Sequence, residues 1–400
     1  MSLIKPSILS LNPRSSYGIN TFHAVYNPKT GKTITSHPIL QSIGDFFAEE
    51  KTDFDEHEGI FGHVNSFIHK TCRGAGAGGV RNWSYETIED WFRDGIRLSK
   101  GMTHKNSLAD LWWGGGKEGS TIQQRRTVFE EYGRFLSSLK GAYVAAEDLG
   151  TTEDDMASVF KKTRFITCIP PEYGGSGNPS APTARGVVCA LEAAFSYTGR
   201  DSLEDGTFAV QKKAKHILVN DIDMAKINAA EKRFDKEFKE GRITFRYTER
   251  NDHSILFEDV DAIVPCATGG ILNPMTIPKI KTKIICGAAN NQLSDFLANR
   301  MGIVNCADES VGHIKNDPLF EKHFSRSWMY SLYNLTKFVL SKAETSESTP
   351  QQIAIELAEK KSLETHPIFG HRGKQIIDSL INSDEWNSRI KVNEQQIESY

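Results

Sequence analysis

The spacing of apolar positions predicts amphipathic helices in the first half of the chain. In residues 84–100, apolar side chains recur at helical spacing with charges between them, and Gly101 follows where the helix is expected to end. Residues 123–142 show the same pattern and run into a short apolar stretch, 142–146, that ends in two acids. Helix, strand and then acid is typical of α/β alternation with polar groups at strand ends.

Short apolar runs dominate the second half of the chain. Helical spacing recurs in residues 183–197, 328–342 and 349–362, and the last of these opens with a threonine and a proline that suit a helix start. Continuous apolar runs are typical of buried parallel strands, and they occur at 165–170, 207–211, 216–221, 261–267 and 283–289. This pattern predicts a doubly wound, nucleotide-binding sheet.

Composition excludes several classes of protein. A chain of 400 residues exceeds the usual size of one hydrophobic core, so two domains are expected. An apolar fraction of 38%, a charged fraction of 25% and a net charge of -3 are ordinary for a globular protein, and argue against a nucleic-acid partner. No run of 18 apolar residues is present, so no membrane partner is expected.

The cysteines favour an intracellular, reducing compartment. They occur singly, without a C-x-x-C pair or a histidine spaced to complete a zinc site, so no metal is expected. Cys266 and Cys286 lie in apolar runs and are interpreted as small core residues. The six positions are Cys72, Cys168, Cys189, Cys266, Cys286 and Cys306.

The first 44 residues contain no Asp or Glu and include several serines. Four cations lie there, Lys5, Arg14, Lys29 and Lys32. We interpret this segment as a basic extension, with a mitochondrial transit peptide as the alternative, because only one arginine is present. The expected localisation is therefore cytoplasmic, with a mitochondrial one as the alternative.

The segment with the most chemical potential lies between residues 74 and 117. It contains GAGAGGVR and GMTHKNSLADLWWGGGK, with nine glycines close to Lys105 and Lys117. Glycine permits close approach of the backbone to a ligand, and at this density it disfavours a helix. Asp148 follows at the end of the apolar stretch, before Leu149, Gly150 and two threonines.

Three motifs carry a resemblance to a known family. GMTHKN, GGGK and AAEDLGTT occur in this order, followed by SGNPSAPTARGV, PCATGGILN, GAANNQL and NCADE. In these motifs the chain resembles the leucine and phenylalanine dehydrogenases of the Glu/Leu/Phe/Val amino acid dehydrogenase family, over about residues 45 to 370. The resemblance implies an α/β fold, with an N-terminal dimerisation domain that binds the substrate and a Rossmann-like NAD-binding domain.

The same resemblance implies roles for three residues. Lys105 would bind the substrate α-carboxylate, Lys117 would be the catalytic lysine that activates water, and Asp148 would move protons to and from the amino group. The implied reaction is hydride transfer from Cα to nicotinamide, followed by hydrolysis of the imine to a 2-oxo acid and ammonia. A lysine can serve as base near neutral pH when burial and a neighbouring cation lower its pKa.

The implied substrate is apolar. Glutamate dehydrogenases carry a lysine just before the G-G-x-R segment, where this chain has Ala77, and an unpaired buried carboxylate would be costly there. Family members line the side-chain pocket at the positions of Ala77, Ala146, Ile303 and Cys306, and the other substrate-binding positions carried over are Gly78, Gly79 and Met102.

NAD is the implied cofactor. The resemblance assigns nucleotide contacts to Thr183, Asp221, Ala267, Asn290 and Asn291. Asp221 favours NAD over NADP, because a carboxylate accepts from a ribose 2′-hydroxyl and repels a 2′-phosphate.

The nucleotide-binding half departs from the family in two places. The expected strands 208–211 and 216–221 are separated by only 212–215, without a G-x-G-x-x-G turn or its helix. Parallel neighbours need a crossover of about a dozen residues, so four cannot connect them. A second shortening follows Asn291, where only 293–298 precede the NCADE segment.

Three interpretations of these apparent internal deletions remain. The sequence represents a dehydrogenase shortened by splicing or by an error in the gene model; or it is an inactive paralogue that assembles with active subunits; or its first domain binds an amino acid without a cofactor. The expected organisation is a substrate and dimerisation domain at 1–180, a shortened Rossmann-like domain at 181–320 and C-terminal helices at 321–400. A small-molecule amino acid partner and a homo-oligomer follow from the resemblance.

Overall fold

The computed structural model describes most of the chain between residues 20 and 382. The described ranges are 20–27, 32–35, 53–59, 62–82, 88–120, 125–199, 214–250, 252–267, 270–289, 295–312, 314 and 316–382. The chain divides into two compact units. The first contains Met1–Pro179, Ile303–Lys315 and Leu357–Tyr400, and the second contains Ser180–Gly302 and Asn316–Glu356. Ile303–Lys315, assigned above to the nucleotide-binding half, thus groups with the first unit.

A seven-stranded mixed sheet forms the centre of the first unit, in the order β2-β1-β3-β4-β6-β5-β7. β5 runs parallel to both β6 and β7, whereas the neighbours from β2 to β6 pair antiparallel. The strands are β1 Asn20–Asn27, β2 Lys32–Thr35, β3 Asp53–Gly59, β4 Gly62–Lys70, β5 Gly76–Asn82, β6 Gly114–Ser120 and β7 Tyr143–Glu147.

Helices make the two parallel crossovers of this sheet. Helix α1, Ile88–Leu108, connects β5 to β6, and helix α2, Arg125–Ser138, connects β6 to β7. Helix α3, Glu153–Phe160, follows β7 and starts in a capping box between Thr152 and Asp155. The α/β fold class is thereby confirmed for this half of the chain.

Two expectations about this unit are wrong. Gly101 does not end α1, because the helix continues to Leu108, and both Gly95 and Gly101 lie inside it. A Cβ at Gly95 would lie 2.0 Å from the Phe67 ring, so glycine there serves packing between α1 and β4. Residues 165–170 contribute one isolated parallel bridge, Ala145 to Ile166, and not a strand, because Cys168 has φ +61° and two prolines follow.

The second unit contains two pairs of parallel strands. β8, Ile217–Asp221, pairs with β9, Ile243–Tyr247, and β10, Ala262–Ile263, pairs with β11, Ile284–Ile285. Within the described residues these pairs are separate two-stranded sheets, and the expectation of one doubly wound sheet stays a prediction. The expected strand at 207–211 lies outside the described residues.

Helices occupy most of the rest of the second unit. Helix α4, Ser180–Tyr197, contacts helix α10, Leu332–Thr345, through a hydrogen bond from the Tyr333 hydroxyl to Ser196 Oγ at 2.9 Å. Helix α10 starts at its N-cap Ser331, later than the expected residue 328. The other α-helices in the described part of the chain are α5 Met224–Arg233, α6 Asp235–Lys239, α7 Asp295–Ala298, α8 Met301–Val311, α9 Pro318–Glu321, α11 Pro350–Ser362 and α12 Arg372–Asn382.

None of the helices described is both long and apolar enough to span a bilayer.

Candidate active site

A buried ion pair between Lys117 and Asp148 lies in the parallel part of the first-unit sheet. Lys117 Nζ donates to Asp148 Oδ2, and the lysine side chain is only 4% exposed. Lys117 belongs to β6 and Asp148 follows β7, and both strands neighbour β5. The three adjacent strands therefore bring together two side chains that the sequence separates by 31 positions.

The backbone around Asp148 is fixed by a tight turn. Gly150 has φ +82°, and a Cβ there would lie 2.1 Å from Asn82 O, so glycine is required. Thr151 Oγ1 accepts from the Asp148 N–H at 2.9 Å and donates to Val80 O at 3.0 Å. Gly79 completes the arrangement, because a Cβ on it would lie 2.5 Å from Asp148 Cβ.

Burial and charge shift the pKa of both partners. Burial is the largest cause that lowers the pKa of Lys117; the Asp148 carboxylate opposes this shift and the Arg81 guanidinium adds to it. Burial alone would raise the pKa of Asp148, but the cations of Lys117 and Arg81 outweigh it and hold that pKa well below its usual range. The site thus combines an ionised carboxylate with an amine that gives up its proton more readily than a solvated lysine.

Arg81 links this pair to helix α1. Its Nε donates to Asp148 Oδ2 at 3.2 Å and its Nη1 donates to Asp94 Oδ2 at 2.8 Å, while Arg97 Nη2 donates to Asp94 Oδ1 at 2.7 Å. The result is a row of alternating charges in which Asp148 receives two cations. Sequence reasoning missed Arg81 and Asp94 as site residues, although the arginine stands in the quoted segment GAGAGGVR.

Glu147 is a second carboxyl group beside the pair. Its Oε1 accepts from Asn178 Nδ2 at 3.0 Å, while its Oε2 is buried without a hydrogen-bond partner among the described residues. Burial, followed by the nearby carboxylates of Glu153, Asp148 and Asp155, raises the pKa of Glu147 from 4.5 to about 7. Sequence reasoning noted this residue only as a strand end.

Replacing Glu147 by glutamine is expected to stabilise the protein at alkaline pH. The folded state holds the Glu147 proton more tightly than the unfolded chain, so the stability this group contributes is present below pH 4.5 and lost as pH rises through about 7. Glutamine keeps the Asn178 hydrogen bond without the charge. We expect Glu147→Gln to be more stable than wild type by about 1–2 kcal/mol at pH 8, allowing for solvent screening.

Urea unfolding at pH 4.5 and pH 8 measures this difference. Glu172→Gln is the matched control, because Glu172 is exposed in the described structure. The prediction fails when Glu147→Gln has the same free energy of unfolding relative to wild type at both pH values.

The residues assigned to the substrate side chain lie together in the first unit. One cluster of packed apolar side chains contains Ala77, Ala146, Ile303 and Cys306, and Met102 packs against it. Ala77, Gly78 and Gly79 belong to β5, and Ala146 belongs to β7. The structure therefore brings together residues from β5, β7, α1 and α8 that are up to 229 positions apart (306 − 77).

Lys105 is buried in the last turn of α1, three positions after Met102. Its neighbour Asn106, which sequence reasoning did not single out, is fully buried, and its Nδ2 donates to Gly114 O and, at 3.4 Å, to Ala77 O. Asn106 thus ties the end of α1 to β5 and β6. The lysine and asparagine of GMTHKN are both buried where the helix meets the strands.

The three glycines before Lys117 serve internal packing. A Cβ would lie 1.8 Å from Lys70 O at Gly114, 2.2 Å from Ser99 O at Gly115 and 2.0 Å from the Tyr143 ring at Gly116. Gly78 is similarly restricted, since a Cβ there would lie 2.0 Å from Gly116 O. The space beside these four glycines is occupied by neighbouring strands and helix α1, and the approach of a ligand to the backbone of this segment stays a prediction.

The residues assigned to the cofactor lie in the second unit where the structure describes them. Thr183 lies in α4, Asp221 ends β8 and Ala267 is exposed after β10. Asn290 and Asn291 lie outside the described residues. Asp221 Oδ1 accepts from the Asp223 N–H at 2.9 Å, and its position at the carboxyl end of a parallel strand suits a ribose hydroxyl.

Neither of the two G-x-G-x-x-G patterns of the chain forms a turn for a pyrophosphate in the described structure. The pattern G-x-G-x-x-G occurs at 74–79 and at 114–119, but these residues lead into β5 and form β6, so neither opens a helix. Residues 200–216 contain only one glycine, Gly206. The described residues thus offer a ribose contact at Asp221, whereas residues 200–213, where the resemblance places the pyrophosphate turn, lie outside them.

Comparisons with known proteins agree with this architecture. Residues 52–165 match the family model described as Glu/Leu/Phe/Val dehydrogenase, dimerisation domain. A leucine dehydrogenase of Geobacillus stearothermophilus is 36% identical over 282 residues, 62% of this chain and 74% of the relative. A phenylalanine dehydrogenase of Lysinibacillus sphaericus is 35% identical over 290 residues, 64% of this chain and 74% of the relative.

A solved structure extends the likeness to the fold. The L-tryptophan dehydrogenase of Nostoc punctiforme superimposes with a TM-score of 0.55 at 25% identity, covering 78% of this chain and 93% of that one. The fold and these relatives place the chain among oxidoreductases that act on amino acids. The chain belongs to the Glu/Leu/Phe/Val dehydrogenase family.

Proposed function

We propose that this protein catalyses the oxidative deamination of an apolar L-amino acid to its 2-oxo acid and ammonia, with NAD as the hydride acceptor. The observation that carries the proposal is the buried Lys117–Asp148 pair with Arg81 beside it. Such a reaction needs groups that take up and release protons, and an amine with a lowered pKa next to an ionised carboxylate can do this.

Three side chains have separate roles in this reaction. Lys105, buried at the end of α1, binds the substrate α-carboxylate as a point cation, the role that the family resemblance implies for it. Once the hydride has left Cα, the neutral amine of Lys117 takes a proton from water, and the resulting hydroxide attacks the imine carbon, from which ammonia then leaves. Asp148 Oδ2 holds and returns a proton at the substrate nitrogen. Bound nicotinamide would supply the acceptor for the hydride from Cα.

An apolar substrate suits the cluster around Ala77. Ala77, Ala146, Ile303 and Cys306 place small and mid-sized side chains in one buried set, with Gly78, Gly79 and Met102 beside them. The side-chain carboxylate of an acidic substrate would lose its hydration in this cluster, and position 77 carries alanine in place of a lysine that could pair with it. Leucine, phenylalanine and tryptophan, the substrates in the names of the relatives, are the first to test.

The choice of NAD as the cofactor is supported in the second unit by Asp221. Asp221 favours NAD over NADP, because a carboxylate would repel a 2′-phosphate. Thr183, Ala267, Asn290 and Asn291 remain the other proposed contacts. The family's dehydrogenases use nicotinamide cofactors, but the roles given above to Lys105, Lys117 and Asp148 do not depend on how this chain holds one.

The absent pyrophosphate turn favours a second candidate function. In that alternative the chain is an inactive paralogue or shortened isoform, with a structural or amino-acid-binding role. The first unit would still bind an amino acid through Lys105, because the buried pair and the apolar cluster lie entirely within it.

Calorimetric titration with NAD separates the two candidates. The purified full chain is titrated with NAD and, separately, with leucine, phenylalanine and tryptophan. Saturable binding of both ligands, with reduced NAD formed on mixing, supports the dehydrogenase. Asp221→Ala should then weaken NAD binding and leave amino acid binding intact. Amino acid binding without NAD binding, from a folded chain, rejects catalysis and supports the second candidate.

We further propose a cytoplasmic homo-oligomer, with a mitochondrial location as the alternative. The description of the matching domain as a dimerisation domain supports the assembly. Sedimentation of the purified chain tests it, because a monomer at all concentrations would contradict it.

A further inference from the structure

Two buried thiols are in contact in the first unit. Cys168 Sγ and Cys306 Sγ lie 3.2 Å apart, although the residues are 138 positions apart in the sequence. Cys168 follows the single bridge to β7, and Cys306 lies in α8. All six cysteines are reduced in the structure. From this contact the two sulfur atoms have to approach by only about 1 Å to reach the length of a disulfide bond.

The Glu309 carboxylate holds the two segments in this register. Glu309 lies three positions after Cys306, so it faces the same side of α8. It accepts from the backbone N–H of Cys168 at 2.8 Å and of Ile169 at 3.3 Å, and from Ser176 Oγ at 2.6 Å. These hydrogen bonds position the two thiols. They do not involve the sulfur atoms, so they remain when the thiols are oxidised.

The backbone at Cys168 is unfavourable for a residue with a side chain. Its φ of +61° lies in the left-handed region, where glycine is the residue without steric cost. A cysteine is nevertheless present, fully buried and directed at a second cysteine. Strain of this kind at a reactive side chain is an observation that points to a functional use of that side chain.

We propose that Cys168 and Cys306 are a redox modification site, which hydrogen peroxide converts to a reversible intramolecular disulfide. One thiol is oxidised by peroxide to a sulfenic acid with release of water, and the second thiol displaces a second water to form the S–S bond. Two thiols and one peroxide thus give one disulfide and two waters. A dithiol reductant restores the thiols.

The environment makes this reaction slow and selective. The hydrogen bond to Cys306, followed by burial, raises the pKa of the Cys168 thiol well above its usual value, so little thiolate is present at neutral pH. A small uncharged oxidant can enter when the unit opens locally, whereas a bulky disulfide such as oxidised glutathione is excluded. Cys266 is exposed and not the core residue that its apolar run predicted, so it should react with either.

The consequence for activity rests on the proposed function. Both thiols belong to the apolar cluster that contains Ala77, Ala146 and Ile303, so a disulfide changes the wall of the proposed side-chain pocket. The sulfur atoms move closer than their contact distance and α8 is tied covalently to residue 168. We expect the affinity for the amino acid to change several-fold on oxidation.

Peptide mapping of the oxidised full chain tests the proposal without substrate or cofactor. The protein is treated with hydrogen peroxide, denatured, alkylated and digested. The expected product is a cross-linked peptide pair of residues 168 and 306, lighter than the sum of the two by two hydrogen atoms and absent after dithiothreitol. Oxidised protein should also melt several degrees higher, because the bond restricts the unfolded chain.

Matched variants complete the experiment. Cys266→Ser should still give the cross-link, whereas Cys306→Ala should abolish it, and Cys168→Gly should abolish it while suiting the backbone. Alkylated, uncross-linked Cys168 and Cys306 in a folded protein whose Cys266 is oxidised would overturn the proposal. A cross-link that leaves amino acid affinity unchanged supports the modification site and contradicts the pocket assignment alone.

Discussion

Replacing Lys117 by methionine is expected to lower the turnover of the amino acid substrate by about a hundredfold to ten-thousandfold. Methionine keeps the unbranched shape of the buried side chain and removes the amine that would take a proton from water. Asp148 retains Arg81 as a partner at 3.2 Å, so its carboxylate is not left uncompensated. The loss should therefore appear in turnover more than in folding, measured by NAD reduction and by circular dichroism.

The pH dependence of turnover gives a second test of the same role. Only the neutral amine can act as the base, so the rate should rise with pH as Lys117 loses its proton. Burial lowers the pKa of Lys117 from 10.5, and this brings the rise closer to neutral pH than for a solvated lysine. The control variant for Lys117→Met is Lys161→Met, because the Lys161 side chain is 44% exposed on the surface. Turnover of Lys117→Met within threefold of wild type would rule out this role.

Local signals predicted several elements to within a few residues. Helix α11 starts where Thr349 and Pro350 indicate, and the structure adds the reciprocal bonds of a capping box between Thr349 and Gln352. Strand β7 and helix α4 were found within about three residues, because their apolar runs are continuous. Such elements are determined by residues that lie close together in the sequence.

Strands β5 and β6 were not predicted, because glycine has little preference for strands. Their residues GAGGVRN and GGGKEGS form strands only through pairing with β4 and β7, which tertiary packing supplies. The strands expected at 261–267 and 283–289 are present as β10 and β11 but are shorter than expected, because the long apolar runs there pair over only two residues each. In both cases the partner, and not the run itself, decided the outcome.

Motifs identified part of the candidate site and could not supply the rest. Lys117 and Asp148 stand in spaced motifs that resemble the family, and the structure places them in contact. Glu147 and Arg81 gain their roles from the register in which Val80 faces Glu147 across β5 and β7, which no local pattern shows. Their charges matter only because burial brings them beside Asp148.

The largest expected effect on stability follows the substitution Gly115→Ala. The added Cβ would lie 2.2 Å from both Ser99 O and Thr103 Oγ1 and 2.3 Å from Thr103 N. Two of these are backbone atoms of α1, so the clash can be relieved only by moving the helix away from β6. We expect a loss of about 3 kcal/mol or more in the free energy of unfolding, measured with urea.

Gly101→Ala is the matched control, and the pair distinguishes two explanations of the glycines. Gly101 lies in α1 with no atom within 4 Å of an added Cβ, so alanine should stabilise the helix by about 0.5–1 kcal/mol. If the glycines serve close packing, Gly115→Ala should lower the free energy of unfolding and Gly101→Ala should raise it. Glycines kept for a ligand would instead leave Gly115→Ala as stable as wild type and impair amino acid binding, because the space beside β6 would then belong to the ligand and not to α1.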